Sequence, residues 1–179
     1  EDRRGTGLLL DSSIALNIAI SAMKVKKQFL RMYGFFSQLD KKMITEHANK
    51  MIQTLDIRCT GPSQNTVRLS GGNQQKVCVA RALTLAPKIL FVSEPTRGID
   101  IGAKTLLLEH LVKLNQEENI TIIMTSSELA EMRSVCDRIA IISEGSVAGV
   151  LKPEDSDEKY GMMMSGIYDQ NAAEGRDRL

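Results

Sequence analysis

The chain has 179 residues, and Lys plus Arg exceed Asp plus Glu by one (23 against 22). A net charge of +1 gives no overall field for nucleic acid or an anionic membrane, and 4% aromatic residues with no Trp argue against a base-stacking platform. This length supports one domain with a real core rather than two full domains, and no apolar run reaches membrane-spanning length.

The N-terminus, Glu1-Asp2-Arg3-Arg4, has no initiator Met and no apolar signal segment, which reads as an excised part of a longer protein. Gly7–Leu10 reads as a short apolar strand, and Asp11, Ser12 and Ser13 offer caps for a helix over Ile14–Met23. Lys24–Ser37 interleaves Lys24, Lys26, Lys27 and Arg31 with Phe29, Tyr33, Phe35 and Phe36. It reads either as a solvated segment burying a few aromatics or as a docking surface. Leu39–Leu55 has apolar residues at helical spacing. Arg58–Thr66, with Gly61-Pro62-Ser63, is a loop, and a helix over Asn73–Ala86 ends at Pro87. Ile89–Val92 and Ile120–Thr125 read as buried parallel strands flanking a helix over Gly102–Glu118. Ser126 and Ser127 cap a further helix to about Asp137. Ile139–Ile142 and Val147–Leu151 form a terminal strand pair about Glu144-Gly145, and the tail from Asp169 is polar. The order implies an α/β second half with a parallel sheet behind a mostly helical first half.

Cys59, Cys78 and Cys136 are odd in number and far apart, without a Cys-x-x-Cys spacing. A disulfide framework or zinc site is not expected, and a reducing compartment is. His47 and His110 sit in helical patterns without ligand neighbours.

The most informative stretch is Leu69-Ser70-Gly71-Gly72-Asn73-Gln74-Gln75. Two glycines behind a serine at a helix start let the backbone approach an anion, with free amides and a hydroxyl to meet it. The same residues also serve as a plain serine N-cap with a flexible entry, and taken alone the two readings stand level. Ile89–Glu94 adds a strand delivering an acid at its C-terminal end, where α/β sheets place their chemistry. Ile122–Thr125 delivers Ser126, Ser127 and Glu128 to the same edge.

This ordered set resembles the nucleotide-binding domain of an ABC ATPase. Leu69–Gln75 resembles the signature motif, Ile89–Glu94 Walker B, and Gly98-Ile99-Asp100 the D-loop, while Ser127 falls at the switch position. The wording LSGGNQQKV (Leu69–Val77), EPTRGID (Glu94–Asp100), SSEL (Ser126–Leu129) and CDRIA (Cys136–Ala140) resembles the second ATPase domain of bacterial simple-sugar importers, with nucleoside importers close behind. The likeness covers Glu1–Met164. It implies an α/β fold, a partial P-loop NTPase domain: a parallel half-core plus a helical subdomain, with the Walker A lobe absent. Residues 1–10 would be the Q-loop edge, 11–72 the helical subdomain, 73–168 the later half of the core, and 169–179 a tail.

By the same resemblance, the nucleotide-binding signature comprises Leu69, Ser70, Gly71, Gly72, Asn73 and Gln74, clasping a γ-phosphate held by another domain. Glu94 would orient the attacking water, with Ser127 beside it in catalysis. Asp100 would link two composite sites, and Glu1 would stand for the Q-loop Gln. ATP and Mg²⁺ are the implied cofactors of the full-length protein. Implied partners are a second ATPase domain, a membrane permease and, indirectly, an extracellular or periplasmic sugar-binding protein, at the cytoplasmic face of a bacterial membrane. No nucleic acid is expected. By this alignment Lys24–Ser37 lies where the family contacts its permease.

Three departures qualify this. The nearest string to a P-loop, Gly98–Thr105, has Ala103 where the second Gly is required. Ser93 replaces the Walker B Asp, so no metal ligand is expected there, and hydrolysis at this domain's own site is in doubt. Ser127 replaces the switch His, as is usual in the second domain of sugar importers. A degenerate ABC domain that only regulates a partner, and a soluble ABC ATPase of another trade, are the competing readings.

Overall fold

The computed structural model describes residues 7–33, 36–99 and 101–166. The chain divides into two compact units, Glu1–Thr125 and Ser126–Leu179.

The first unit begins without the expected strand at Gly7–Leu10. The Leu9 N–H donates to Asn17 Oδ1 and its carbonyl accepts from Asn17 Nδ2, both at 2.9 Å, so a side chain replaces a strand ladder. Helix α1, Ile14–Lys26, starts where Ser13 Oγ accepts from the Leu16 N–H, and ends at Lys27 in the left-handed conformation. Of Lys24–Ser37, Lys24–Lys26 close α1, residues 27–29 turn, and the other described residues enter an antiparallel pair, β1 (Leu30–Tyr33) and β2 (Phe36–Leu39). Phe29, just before it, is buried. Helix α2, Lys41–Thr54, begins two residues later than the periodicity predicts, because Asp40 caps it, accepting from Lys42 and Met43 N–H at 3.1 Å.

A single 3₁₀ turn, Thr66–Arg68, leads into helix α3, Gly71–Leu83. This helix stops three residues before the expected end. Ala86, just before Pro87, lies beyond the helix with a positive φ of 43°. Ile14, Ile18 and Ala22 of α1, Ile44 and Ala48 of α2, and Val77 and Ala80 of α3 form one core.

Strands β3 (Ile89–Ser93) and β4 (Thr121–Thr125) pair in parallel, Ile89 opposite Thr121 and Ser93 opposite Thr125, with α4 (Ile101–Glu118) between them in sequence. The parallel pairing is as expected, but β3 is buried on one face only. Leu90 and Val92 are buried while Phe91 is 74% exposed, because no described element of the first unit covers that face.

In the second unit, helix α5 (Leu129–Val135) has Glu128 at its N-cap rather than either serine. Ser126 Oγ accepts from the Glu128 N–H and donates to Glu131, turning the chain into the helix. Strands β5 (Ile139–Ser143) and β6 (Ser146–Leu151) form the predicted pair. Helix α6, Asp157–Met164, is capped by Ser156 and buries Tyr160 against Ile139, Ile141 and Leu151. Among the described residues, no helix is long and apolar enough to cross a membrane.

Candidate nucleotide-facing site

The sequence places Ser70 at the N-cap of α3, with its Oγ accepting from the Asn73 N–H. The six signature residues do not share one orientation. Ser70 is exposed, Gly71, Gly72 and Asn73 are half-buried, and Leu69 and Gln74 are buried. Leu69 joins the core, and Gln74 Nε2 donates to the carbonyls of Thr66 and Leu69 at 3.2 and 3.3 Å. Those two residues hold the loop, while Ser70 is exposed. Ser70, Gly72 and Asn73 line a cleft of about 390 Å³ with Asp56, Arg58, Lys76, Gly102 and Leu106. Lys76 is itself buried, and its Nζ donates to the Asp56 carbonyl at 2.7 Å. The cleft has the parts an anion needs: a helix N-terminus, a hydroxyl and a cation at its rim, Arg58.

A residue set that the sequence did not single out supports this loop. Asn17, fully buried, receives Arg81 Nη2 on Oδ1 at 2.5 Å, and Arg81 also reaches the carbonyls of Asn17 and Gly7 at 2.7 Å. Burial lowers the Arg81 pKa from its ordinary value. A lone Asn inside the apolar run Ile14–Ile20 was the available signal.

The second group stands at the C-terminal ends of β3 and β4. Thr125 Oγ1 donates to Ser93 Oγ at 3.1 Å across the strand pair. Glu94 follows in the left-handed conformation, φ 46°, with its N–H given to the Thr125 carbonyl at 2.8 Å. A non-glycine residue held there costs on the order of 1–3 kcal/mol, and such residues concentrate at functional positions. Pro95 and Thr96, both buried, fix the turn that follows. Neither Ser93 nor Glu94 lines the Ser70 cleft. Ser127 lies in the second unit and is exposed. Asp100 and Glu1 fall outside the described residues.

A resident divalent ion does not fit this strand end. Two neutral hydroxyls, Ser93 and Thr125, stand where a hard cation wants a carboxylate. Among the described residues, no cluster of three His, Cys, Asp or Glu side chains is arranged to hold a metal. His47 instead meets Thr84 Oγ1 at 2.9 Å and packs 5.2 Å from the Phe29 ring.

The chain is similar to known proteins in sequence and fold. Ribose import ATP-binding protein RbsA of Caldanaerobacter subterraneus is 37% identical over 163 residues, covering 91% of this chain and 32% of that protein. Nucleoside import ATP-binding protein NupA of Lactococcus lactis is 37% identical over 167 residues, covering 93% and 32%. The chain thus spans about a third of the length of these relatives. Among solved structures, the ATP-binding cassette MJ0796 bound to ADP and Pi superposes with a TM-score of 0.67 at 21% identity, over 83% of this chain and 60% of that one. cbiO1 from Clostridium perfringens gives 0.67 at 22%, over 92% and 58%. These two likenesses establish the α/β cassette fold. The family model described as ABC transporter matches residues 8–97, half of the chain, running from the Asn17 network through the signature helix to Glu94. The chain belongs to the ABC transporter family.

Proposed function

We propose that this chain is part of the ATP-binding subunit of a bacterial importer for simple sugars, and that it contributes the signature half of a composite nucleotide site. The observation that carries this is the intact Leu69–Gln74 motif with Ser70 exposed at the N-cap of α3. Residues 11–72 act as the helical subdomain presenting that motif, 73–168 as the later half of the ATPase core, and 1–10 as the Q-loop edge.

The chemistry follows from the residues. A helix N-terminus carries roughly half a positive charge. With the Ser70 hydroxyl it meets the terminal phosphate of ATP held on the phosphate cradle of a second ATPase domain. Gly71 and Gly72 leave the backbone unobstructed for that approach. Closure excludes water around the phosphate, which strengthens each of these interactions. At this domain's own site, separate from the one that Ser70 serves, Glu94 at the strand end accepts a hydrogen bond from the attacking water and so orients it. Ser127, Asp100 and Glu1 take the switch, D-loop and Q-loop positions. ATP supplies the phosphoryl group, and Mg²⁺ belongs with the cradle of the second domain, since Ser93 offers it no charge.

The hydrolysed energy then serves a membrane permease, fed by a sugar-binding protein outside, with this subunit at the cytoplasmic face of the membrane. Relatives named for ribose import support a simple sugar as the substrate class, with a nucleoside as the alternative that the relative named for nucleoside import supports. The test is uptake by the whole protein reconstituted with its permease and binding protein in vesicles loaded with ATP. Ribose-class sugars accumulate only with ATP inside. Accumulation of a nucleoside and no sugar, or neither despite ATP hydrolysis, would overturn the assignment.

A further inference from the structure

The hydrogen-bonding capacity of Ser70 is committed in one direction. Its Oγ accepts from the Asn73 main-chain N–H at 3.4 Å and from Asn73 Nδ2 at 2.9 Å. The orientation of the Asn73 amide is fixed by its other end. Asn73 Oδ1 accepts from the Arg58 main-chain N–H at 2.8 Å. A main-chain N–H only donates, so the amide oxygen must face Arg58 and the NH₂ must face Ser70. A hydroxyl has two lone pairs and one hydrogen. Asn73 occupies both lone pairs from inside the helix turn. The hydrogen has no acceptor among the described residues, and Ser70 is exposed at the cleft.

We propose that Asn73 is a positioning residue that makes the Ser70 hydroxyl an obligate donor into the cleft, selecting a group that only accepts, such as a terminal phosphoryl oxygen. This rests on the signature reading of Ser70. A freely rotating serine meets a phosphate oxygen or a water hydrogen equally well. With both lone pairs filled, only the first is accommodated. The loop carrying Arg58 is thereby tied to the aim of the hydroxyl, although it contributes no side chain to that hydrogen bond.

Asn73→Asp separates aiming from tethering. A carboxylate still accepts from the Arg58 N–H, so the loop stays anchored. Its second oxygen faces Ser70 and has no hydrogen to give, so the serine turns its own hydrogen inward and presents lone pairs to the phosphate. The added negative charge acts whether or not residue 70 has a hydroxyl, and a Ser70→Ala background measures that part separately. The experiment is a double-mutant cycle on the whole protein assembled with its partner ATPase domain and permease, reading turnover at saturating ATP. A charge-assisted hydrogen bond predicts a loss of about thirtyfold for Asn73→Asp with Ser70 present, and no more than about threefold in Ser70→Ala protein. Asn73→Ala, which removes the reach without adding charge, shows the same collapse between backgrounds. Equal fractional losses in the two backgrounds, for either substitution, overturn the proposal. Undiminished turnover in Ser70→Ala alone overturns the signature reading instead, and so separates the two failures.

Discussion

Asn17 and Thr66, forty-nine positions apart, share a fully buried hydrogen bond, Asn17 Nδ2 to Thr66 Oγ1 at 2.9 Å. Thr66 passes its own hydrogen to the Ser12 carbonyl, and its own carbonyl accepts from Gln74 Nε2. Segment 7–12, helix α1, the 3₁₀ turn and the signature helix are thus joined through two short polar side chains. Replacing Asn17 by Leu leaves the Leu9 N–H and carbonyl, the Thr66 hydroxyl and an Arg81 nitrogen without that partner. We expect a loss of about 3 kcal/mol in denaturant unfolding, since each orphaned buried group costs roughly 1–3 kcal/mol and some find water. A change under about 0.5 kcal/mol, the ordinary scale of a surface substitution, would contradict this.

That network marks where the sequence stops being legible. The motifs are linear strings, so Ser70–Gly72 and Glu94 are visible without a fold. The partners of Asn17 are set by tertiary contacts, so its run reads only as an apolar helix. The same limit hid β1 and β2, because Lys24–Ser37 has neither helical nor alternating periodicity. Gly7–Leu10 misled in the opposite sense: Leu9 bonds through both its N–H and its carbonyl to the Asn17 side chain rather than to a neighbouring strand. The start of α6 went unread as well, although Ser156 precedes Asp157 and Glu158 in a capping pattern that suits the helix dipole.

Gly71 should tolerate no acidic side chain. Gly71→Asp places bulk and negative charge where the phosphate must come, in a poorly solvated cleft. Hydrolysis by the whole protein should fall at least about a hundredfold, the scale of losing a principal phosphate contact. The melting temperature and the affinity of the partner's cradle for ATP should be largely kept, because closure is what suffers. Normal hydrolysis and transport would reduce Ser70-Gly71-Gly72 to a helix cap.

The hydroxyl pair of Ser93 and Thr125 makes a third prediction. Ser93→Asp would place a carboxylate next to the Thr125 hydroxyl, which already donates in that direction. Magnesium-dependent turnover at this domain's own site should rise about tenfold, equivalent to ~1.4 kcal/mol of barrier. Glu94→Gln should abolish the gain. Turnover that does not respond to Ser93→Asp would mean that the missing charge is not what limits this site.

His47 predicts a pH dependence of stability. Burial, with the Lys50 charge adding to it, holds its pKa below the ordinary value of 6.5. The folded protein therefore binds its proton less readily than the unfolded chain. The stabilisation is complete above pH 6.5 and is lost as pH falls from there through the folded pKa. Melts between pH 7.5 and pH 5 should show a falling melting temperature, and His47→Gln should flatten the slope. Some slope should remain from His110, whose pKa is also lowered, by burial and then by Lys113 and Lys76. Asp40, held low by its hydrogen bond from Arg31, acts only below about pH 4, outside this window. An identical slope in His47→Gln would assign the whole effect elsewhere.

The central claim is that Ser70 closes onto a nucleotide bound by another domain. The most direct measurement is the maleimide reactivity of Ser70→Cys in the assembled protein, with labelled peptides separated by mass so that Cys59, Cys78 and Cys136 do not interfere. Position 70 is exposed in the chain by itself, so labelling should be fast there. With the partner ATPase domain and ATP under non-hydrolysing conditions, the rate at position 70 should fall at least about tenfold, because closure buries the site. ADP in place of ATP should leave it fast. Equal labelling rates with ATP, with ADP and without nucleotide would contradict the account.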